Sequence, residues 1–357
     1  MKTPSYVFFS GLLCLLLLSL KPDRTLPVTV RQTLSEYGLF TGKLANQTPA
    51  DGVVPYRLNT PLFSDYAEKL RFVKLPAGGT VPYNATEVLD FPVGTTLIKT
   101  FYYPNDFRDV SRGRRLMETR LLIHETEGWK AAEYVWNAEQ TEAVLEVAGD
   151  RKPVTYVDAE GRIRQQEYII PNLNQCKSCH NRAEVLMPIG PSARQLNGDL
   201  VYSNGAENQL SHWQKAGWLT DLPALTDVPR APVWNDPATG SLDARARIWL
   251  DINCAHCHRP DGPANTSGLN LSVHERSSTA WGVLKTPVAA GRGSGGRRYD
   301  IVPGRPDESI LLYRMESTDP GVMMPEVARK VTHKEGVALV REWIKSLPND
   351  TNTNNAR

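Results

Sequence analysis

A chain of 357 residues is long enough for two domains of ordinary size, and 41 basic against 39 acidic side chains leave a net charge of only +2. That balance argues against a broad electrostatic nucleic-acid binder, and no nucleic-acid module stands out. An apolar fraction of 41% excludes a disordered polyelectrolyte, and five cysteines are too few for a disulfide-framed scaffold of this length.

Residues 1–24 open with Met1-Lys2 and run into an apolar stretch, Val7 to Leu20, that ends at Lys21-Pro22-Asp23-Arg24. The stretch is short for a membrane-spanning helix and suits the apolar core of a signal peptide, or of an N-terminal anchor if it stays uncleaved. The expected location is the periplasm, with membrane contact only through such an anchor. Cys14 lies in this stretch and reads as a small apolar residue; the other four cysteines fall in two later motifs.

Residues 25–173 read as an all-β domain. Leu97 to Tyr103, Thr119 to His124, Ala132 to Trp136, Ala143 to Val147, Val154 to Val157 and Tyr168 to Ile170 are rich in β-branched and aromatic residues. Turn signals at Pro104-Asn105-Asp106, Gly149-Asp150 and Glu160-Gly161 separate several of them, which predicts a sandwich or barrel-like arrangement. Arg108, Arg112, Arg114 and Arg115 cluster in a predicted loop and read as a solvated hairpin tip rather than a dock for an acidic partner.

Residues 174–230 carry the first cysteine motif. A helix is predicted over 204–217, with Asn204 as N-cap and Leu210 and Trp213 on one face. Pro223, Pro229, Pro232 and Pro237 mark a linker. Residues 231–348 are predicted to form a mainly α-helical domain. One helix is capped by Ser241 and runs into Cys254, and a second opens at Pro306. A last helix is opened by a capping box at Thr332 to Glu335 and sets Val337, Val340, Ile344 and Leu347 at core spacing. The predicted fold class is therefore α+β and multidomain, and the polar tail at 349–357 is expected to be disordered.

The chemistry is concentrated in two pentapeptides, Cys176-Lys177-Ser178-Cys179-His180 and Cys254-Ala255-His256-Cys257-His258. Each reads C-x-x-C-H, the attachment site of a c-type haem. Two thiols three residues apart can each form a thioether with one vinyl group of the porphyrin, and the following histidine ligates the iron. Four cysteines could instead make one zinc site, but the long gap between the pairs is unusual for a zinc ribbon and leaves both histidines unexplained. A thioredoxin-like dithiol needs no histidine next, and disulfides across three residues would close almost no loop. With 7 histidines in 357 residues, one following both pairs by chance is about a one-in-2,500 event. The expected cofactors are thus two covalently bound c-type haems, tethered at Cys176, Cys179, Cys254 and Cys257 and ligated by His180 and His258. For the other axial position of the first haem the order of preference is His212, then an open position, then Met187, with His124 more remote. The glycine-rich Gly291 to Gly296 lacks the residues of a phosphate loop and reads as a flexible loop, with Arg292, Arg297 and Arg298 available to haem propionates.

The order of helix, C-x-x-C-H, loop, helix, methionine loop and final helix in 231–348 resembles class I cytochromes c. The resemblance implies Met324, followed by Pro325, as the second axial ligand of the second haem, in preference to the adjacent Met323. It also implies a carbonyl of Pro260 or Pro263 as the partner of the other His258 nitrogen. Over nearly the whole mature chain, Pro61-Leu62-Phe63-Ser64-Asp65-Tyr66, Phe91 to Thr95, Lys99-Thr100-Phe101, Glu118 to Leu122, Gly128-Trp129 and Asn208-Gln209-Leu210 resemble a family of bacterial dihaem c-type cytochromes with an N-terminal β domain. That resemblance implies single-electron transfer between redox protein partners, and pairing with an exported parallel β-helix protein. A dihaem peroxidase or oxidase with one open haem position is the alternative; no catalytic residue is assigned.

Overall fold

Alternating apolar and polar positions build one antiparallel meander in the computed structural model, which describes residues 30–327 and 329–348. The predicted export segment with Cys14 and the tail at 349–357 lie outside the described residues. The meander has six strands: β1 Val53–Pro55, β2 Glu68–Lys74, β3 Thr96–Pro104, β4 Arg114–Glu125, β5 Gly128–Trp136 and β6 Ala143–Leu145, each paired with the next. A separate hairpin follows, β7 Asp150–Val157 and β8 Ile163–Ile170. The predicted β runs lie within β3 to β8, with β6 ending at Leu145 rather than Val147.

The two faces of the sheet are covered by different parts of the chain. Phe72, Ile98, Leu121 and Ala132 pack under Leu34 and Leu39 from the N-terminal segment. On the other face, Val73 and Leu97 meet Leu196, Leu210, Trp213 and Ile252. Phe101, Tyr103 and Met117 meet Val154, Tyr156, Tyr168 and Ile170 of the hairpin. The covering layers are loops, short helices and one hairpin, so the predicted sandwich or barrel is corrected to a single covered sheet.

The mainly α-helical C-terminal domain is also corrected. After α1 Leu173–Cys179, α2 Ala193–Leu196 and α3 Gln209–Lys215, the α-helices among the described residues of 231–348 are α4 Leu242–Leu250, α5 Ile310–Glu316 and α6 Lys334–Ser346, of 9, 7 and 13 residues, beside short 3-10 and π turns. The long stretch between α4 and α5 contains Pro260, Pro263, Pro287 and Pro303, and glycines at positive φ such as Gly268 and Gly282. Proline removes a helical hydrogen bond and left-handed glycine stops a helix, so this stretch stays in loops. Short helices still make a core, with Trp249, Leu250, Leu312, Val340, Trp343 and Ile344 buried together.

Two predicted caps move for local reasons. Asp199–Tyr202 and Gly205–Asn208 pair as a hairpin, so α3 starts at Gln209, with Asn208 accepting hydrogen bonds from the Leu210 and Ser211 amides. Thr332 donates to the Glu316 carbonyl instead of capping α6, whose N-cap is His333. Ser241 does cap α4, accepting from the Ala244 amide at 3.2 Å. The proline-rich stretch is fastened to the segment between β1 and β2, where Asn59 and Thr60 donate to the carbonyls of Ala231 and Pro232. Arg108 and Arg112 both pair with Asp106, at 2.9 and 3.0 Å. No helix among the described residues is long and apolar enough to cross a membrane.

Two expectations follow. Trp343 is fully buried, and its indole nitrogen donates to Asp243 at 2.8 Å. Trp343→Ala should cost about 3–5 kcal/mol in chemical denaturation. Hydrogen bonds from Arg108 hold the Asp106 carboxyl well below the usual carboxylate range. Its stabilising contribution is therefore present above the unfolded pKa, near 4, and is lost as pH falls through the folded value. In acid-unfolding titrations, Asp106→Asn should lower stability at neutral pH and flatten that limb.

Candidate cofactor site

The first pentapeptide sits on α1 because Asn172 and Gln175 form a reciprocal capping box directly after β8. Cys176 and Cys179 lie in the helix, and His180 closes its end by donating its amide to the Cys176 carbonyl at 3.0 Å. The second pentapeptide repeats that closure. α4 passes into a π-helical turn, Asp251–Ala255, and the His258 amide donates to the Cys254 carbonyl at 2.9 Å. All four thiols are free of disulfides.

The two histidines are prepared in the same way. Nδ1 of His180 donates to the Met187 carbonyl at 2.8 Å. Nδ1 of His258 lies 3.0 Å from the Ser267 hydroxyl, whose own proton goes to the Ala264 carbonyl, so His258 is the donor. With the proton fixed on Nδ1, each ring keeps the Nε2 lone pair for a metal. Burial lowers the His180 pKa to about 3 and that of His258 to about 4, so both rings are neutral near pH 7. Ser267 thus takes the role assigned to Pro260 or Pro263, and Met187 serves through its backbone. A short, partly buried hydroxyl nine residues away leaves no pattern in the sequence.

The fold then brings the pentapeptides together. The ligand atoms of Cys179, His256 and Cys257 lie within 4.8 Å of one another. A four-membered ion network binds the loops that follow the motifs: Arg182 pairs with Glu87 at 2.7 Å and Asp261 at 2.5 Å, and Arg259 with the same two carboxylates at 3.3 and 2.6 Å. The Ala183 amide also donates to the Asp261 carbonyl at 2.8 Å. Cys179 is pushed toward the thiolate, first by the Cys257 thiol and then by His256, whereas Cys257 is pushed up. Burial raises Cys176 and Cys254 to about 12. His256, a motif spacer in the sequence, is the residue that sequence reasoning missed here; its buried Nδ1 has no partner among the described residues.

Beside the first pentapeptide lies a pocket of about 1460 Å³, counting its solvent-facing mouth. Cys176, Cys179 and His180 form one side, and the inner face of the sheet forms another. That face presents Arg71, Lys99, Arg120 and Glu133 to the pocket. Arg120 makes a two-pronged bond to the fully buried Glu118 at 2.6 and 2.8 Å, and Tyr168 donates to Glu118 at 2.5 Å. Glu133 lies 3.7 Å from the Cys176 sulfur; burial, then the Glu118 charge, pushes its carboxyl up to about 10. Of the Glu118–Glu133 pair, Glu133 is therefore the carboxyl that holds a proton more readily.

The remaining predicted ligands fall elsewhere or stand apart. His212 does not line this pocket; its ring stacks on Tyr202 at 3.6 Å, and its Nδ1 faces Glu207 at 3.2 Å. His124 stacks on Trp129 and donates to the Phe91 carbonyl. Met324 is half-buried in the loop between α5 and α6, and the next residue, Pro325, lines the first pocket. Met315 and Met323 are buried, the former in the C-terminal core. Arg292 and Arg297 are engaged by Asp319 and by the Asp307 carbonyl.

If the ion network holds the motifs in contact, its members must act jointly. A double-mutant cycle of Glu87→Gln with Arg182→Met, read by denaturation, should give a coupling of about 0.5–1 kcal/mol, the scale of a half-exposed pair. The chain was compared with known proteins in three ways: no family model, no curated protein and no solved structure matches it.

Proposed function

We propose that the protein is an exported dihaem c-type cytochrome that passes single electrons between redox partners in the periplasm. The observation that carries this reading is the repeated geometry of the two pentapeptides. Each closes its turn with the histidine amide on the first cysteine carbonyl, and each pins Nδ1 so that Nε2 stays free. Cys176 and Cys179 would tether one haem and Cys254 and Cys257 the other, with His180 and His258 as iron ligands. Bound haem supplies a one-electron ferric/ferrous couple. The chain's contribution is to fix the imidazole tautomers, keep bulk water from the first pocket with walls such as Leu97, Phe101 and Ile252, and hold the motifs side by side. Met324 is the proposed second ligand of the second haem. The resemblance to the bacterial dihaem family belongs to the same reading, as does an exported β-helix protein among the partners.

One observation favours a second reading. Cys179, His256 and Cys257 present two sulfurs and a nitrogen to one point, a donor set suited to zinc or another soft cation. The two readings separate on protein exported through a haem-attachment pathway. Haem-stained denaturing gels should show full signal for the wild type, about half for Cys176→Ala/Cys179→Ala or Cys254→Ala/Cys257→Ala, and none when all four are replaced. Colourless protein holding stoichiometric zinc would support the second reading instead. Low-spin spectra inert to peroxide are expected of a carrier; a high-spin haem with peroxide turnover would move the assignment to a dihaem peroxidase or oxidase.

A further inference from the structure

The strand register lines up charges that ought to repel. Arg71 on β2 is directly opposite Lys99 on β3, Lys99 opposite Arg120 on β4, and Arg120 opposite Glu133 on β5. Like charges directly opposite one another destabilise a sheet, and burial worsens the effect. Arg120 is compensated by Glu118. Arg71 is 6% exposed, and among the described residues neither it nor Lys99 has a carboxylate at ion-pair distance. Lys69, on the same face of β2, has none either. Lys99 and Lys69 lie 4.7 and 6.0 Å from the centre of the Phe101 ring. Burial, then the Arg71 guanidinium, pushes both ammonium groups well down, so an anion beside them is what would hold them charged. Glu133, the one carboxyl in the row, lies at the Cys176 end, two strands from Lys99 and three from Arg71.

We infer that Arg71 and Lys99, flanked by Lys69 and Arg120, form the seat of the two propionates of a haem tethered at Cys176 and Cys179. The inference rests on the dihaem reading and names residues for it. The row has direction. Its Glu133 end lies against Cys176, where the vinyl edge would be attached, and Arg71 stands three strands away, about 14 Å at the usual strand spacing. A porphyrin carries its vinyl groups and its propionates on different parts of its rim, and the pocket has thiols and cations at correspondingly separate ends. Two carboxylates there would compensate two cations that otherwise face each other without a counter-charge, and a guanidinium suits a carboxylate in two-pronged geometry.

Lys99→Met tests this in the haem-loaded, full-length protein. Loss of a cation beside the propionates disfavours the more negative, reduced site, so the first haem's midpoint potential should fall. At fixed potential, its reduced-to-oxidised ratio should drop roughly tenfold. The second haem should be unchanged, Arg71→Met should act in the same direction, and Lys99→Arg should restore the wild-type potential. If gels show two attached haems but neither potential moves in Lys99→Met or Arg71→Met, the propionate seat is wrong and the dihaem reading survives. If no haem is attached to the wild type, both fall. Lys99→Met relieves a repulsion, so the apoprotein should fold; a merely structural role would change its stability without moving any potential.

Discussion

The contact between the two pentapeptides is the constraint on which the rest of the site depends. They are separated by more than seventy residues of chain, yet Cys179 and Cys257 come within ligand distance of one another. Arg182, Arg259 and Asp261 from the loops behind the motifs, with Glu87 from the segment between β2 and β3, close the contact. Each pair is partly exposed and worth little alone. Their value lies in sharing: each carboxylate takes both arginines, so neither loop can shift without breaking two pairs. For the proposed electron transfer this would matter more than stability, because it would fix which edges of the two haems face each other.

The sheet contributes chemistry as well as support. Its outer face is an ordinary apolar layer beneath the N-terminal segment. Its inner face combines an apolar row, Val73, Leu97, Leu122 and Ala131, with the charged row of Arg71, Lys99, Arg120 and Glu133. A face that is apolar in one row and cationic in the next suits a planar, amphiphilic ligand with an acidic edge. The β region also shares a core with the segment that follows the first motif, a core that includes Val73, Leu97, Leu210 and Trp213. The strands form a wall of the site rather than an independent module.

What the sequence made legible was local. The pentapeptides, the strand runs and the Ser241 cap all depend on residues within a few positions of one another. The C-terminal third is not mainly helical because its three apolar stripes are short and the prolines and glycines between them keep the region in loops. Asn204 does not cap α3, because the hairpin that moves the cap to Asn208 depends on strand pairing and not on composition. The cationic row was hidden for a similar reason. In each strand a charged residue alternates with apolar ones, as on any solvated face. Only the register shows that Arg71, Lys99 and Arg120 are neighbours, and only tertiary packing shows that the face is covered. His256 and Ser267 left no signal because their roles depend on which loops fold back on the motifs.

The most direct test is circular dichroism in the Soret region on the exported, purified protein. Two haems held edge to edge by the Cys179–Cys257 contact should give an intense two-signed couplet centred on the absorption maximum, weakened when either cysteine pair is replaced by alanine. A single-signed band would contradict the side-by-side arrangement, and the absence of any Soret absorption would contradict the account as a whole.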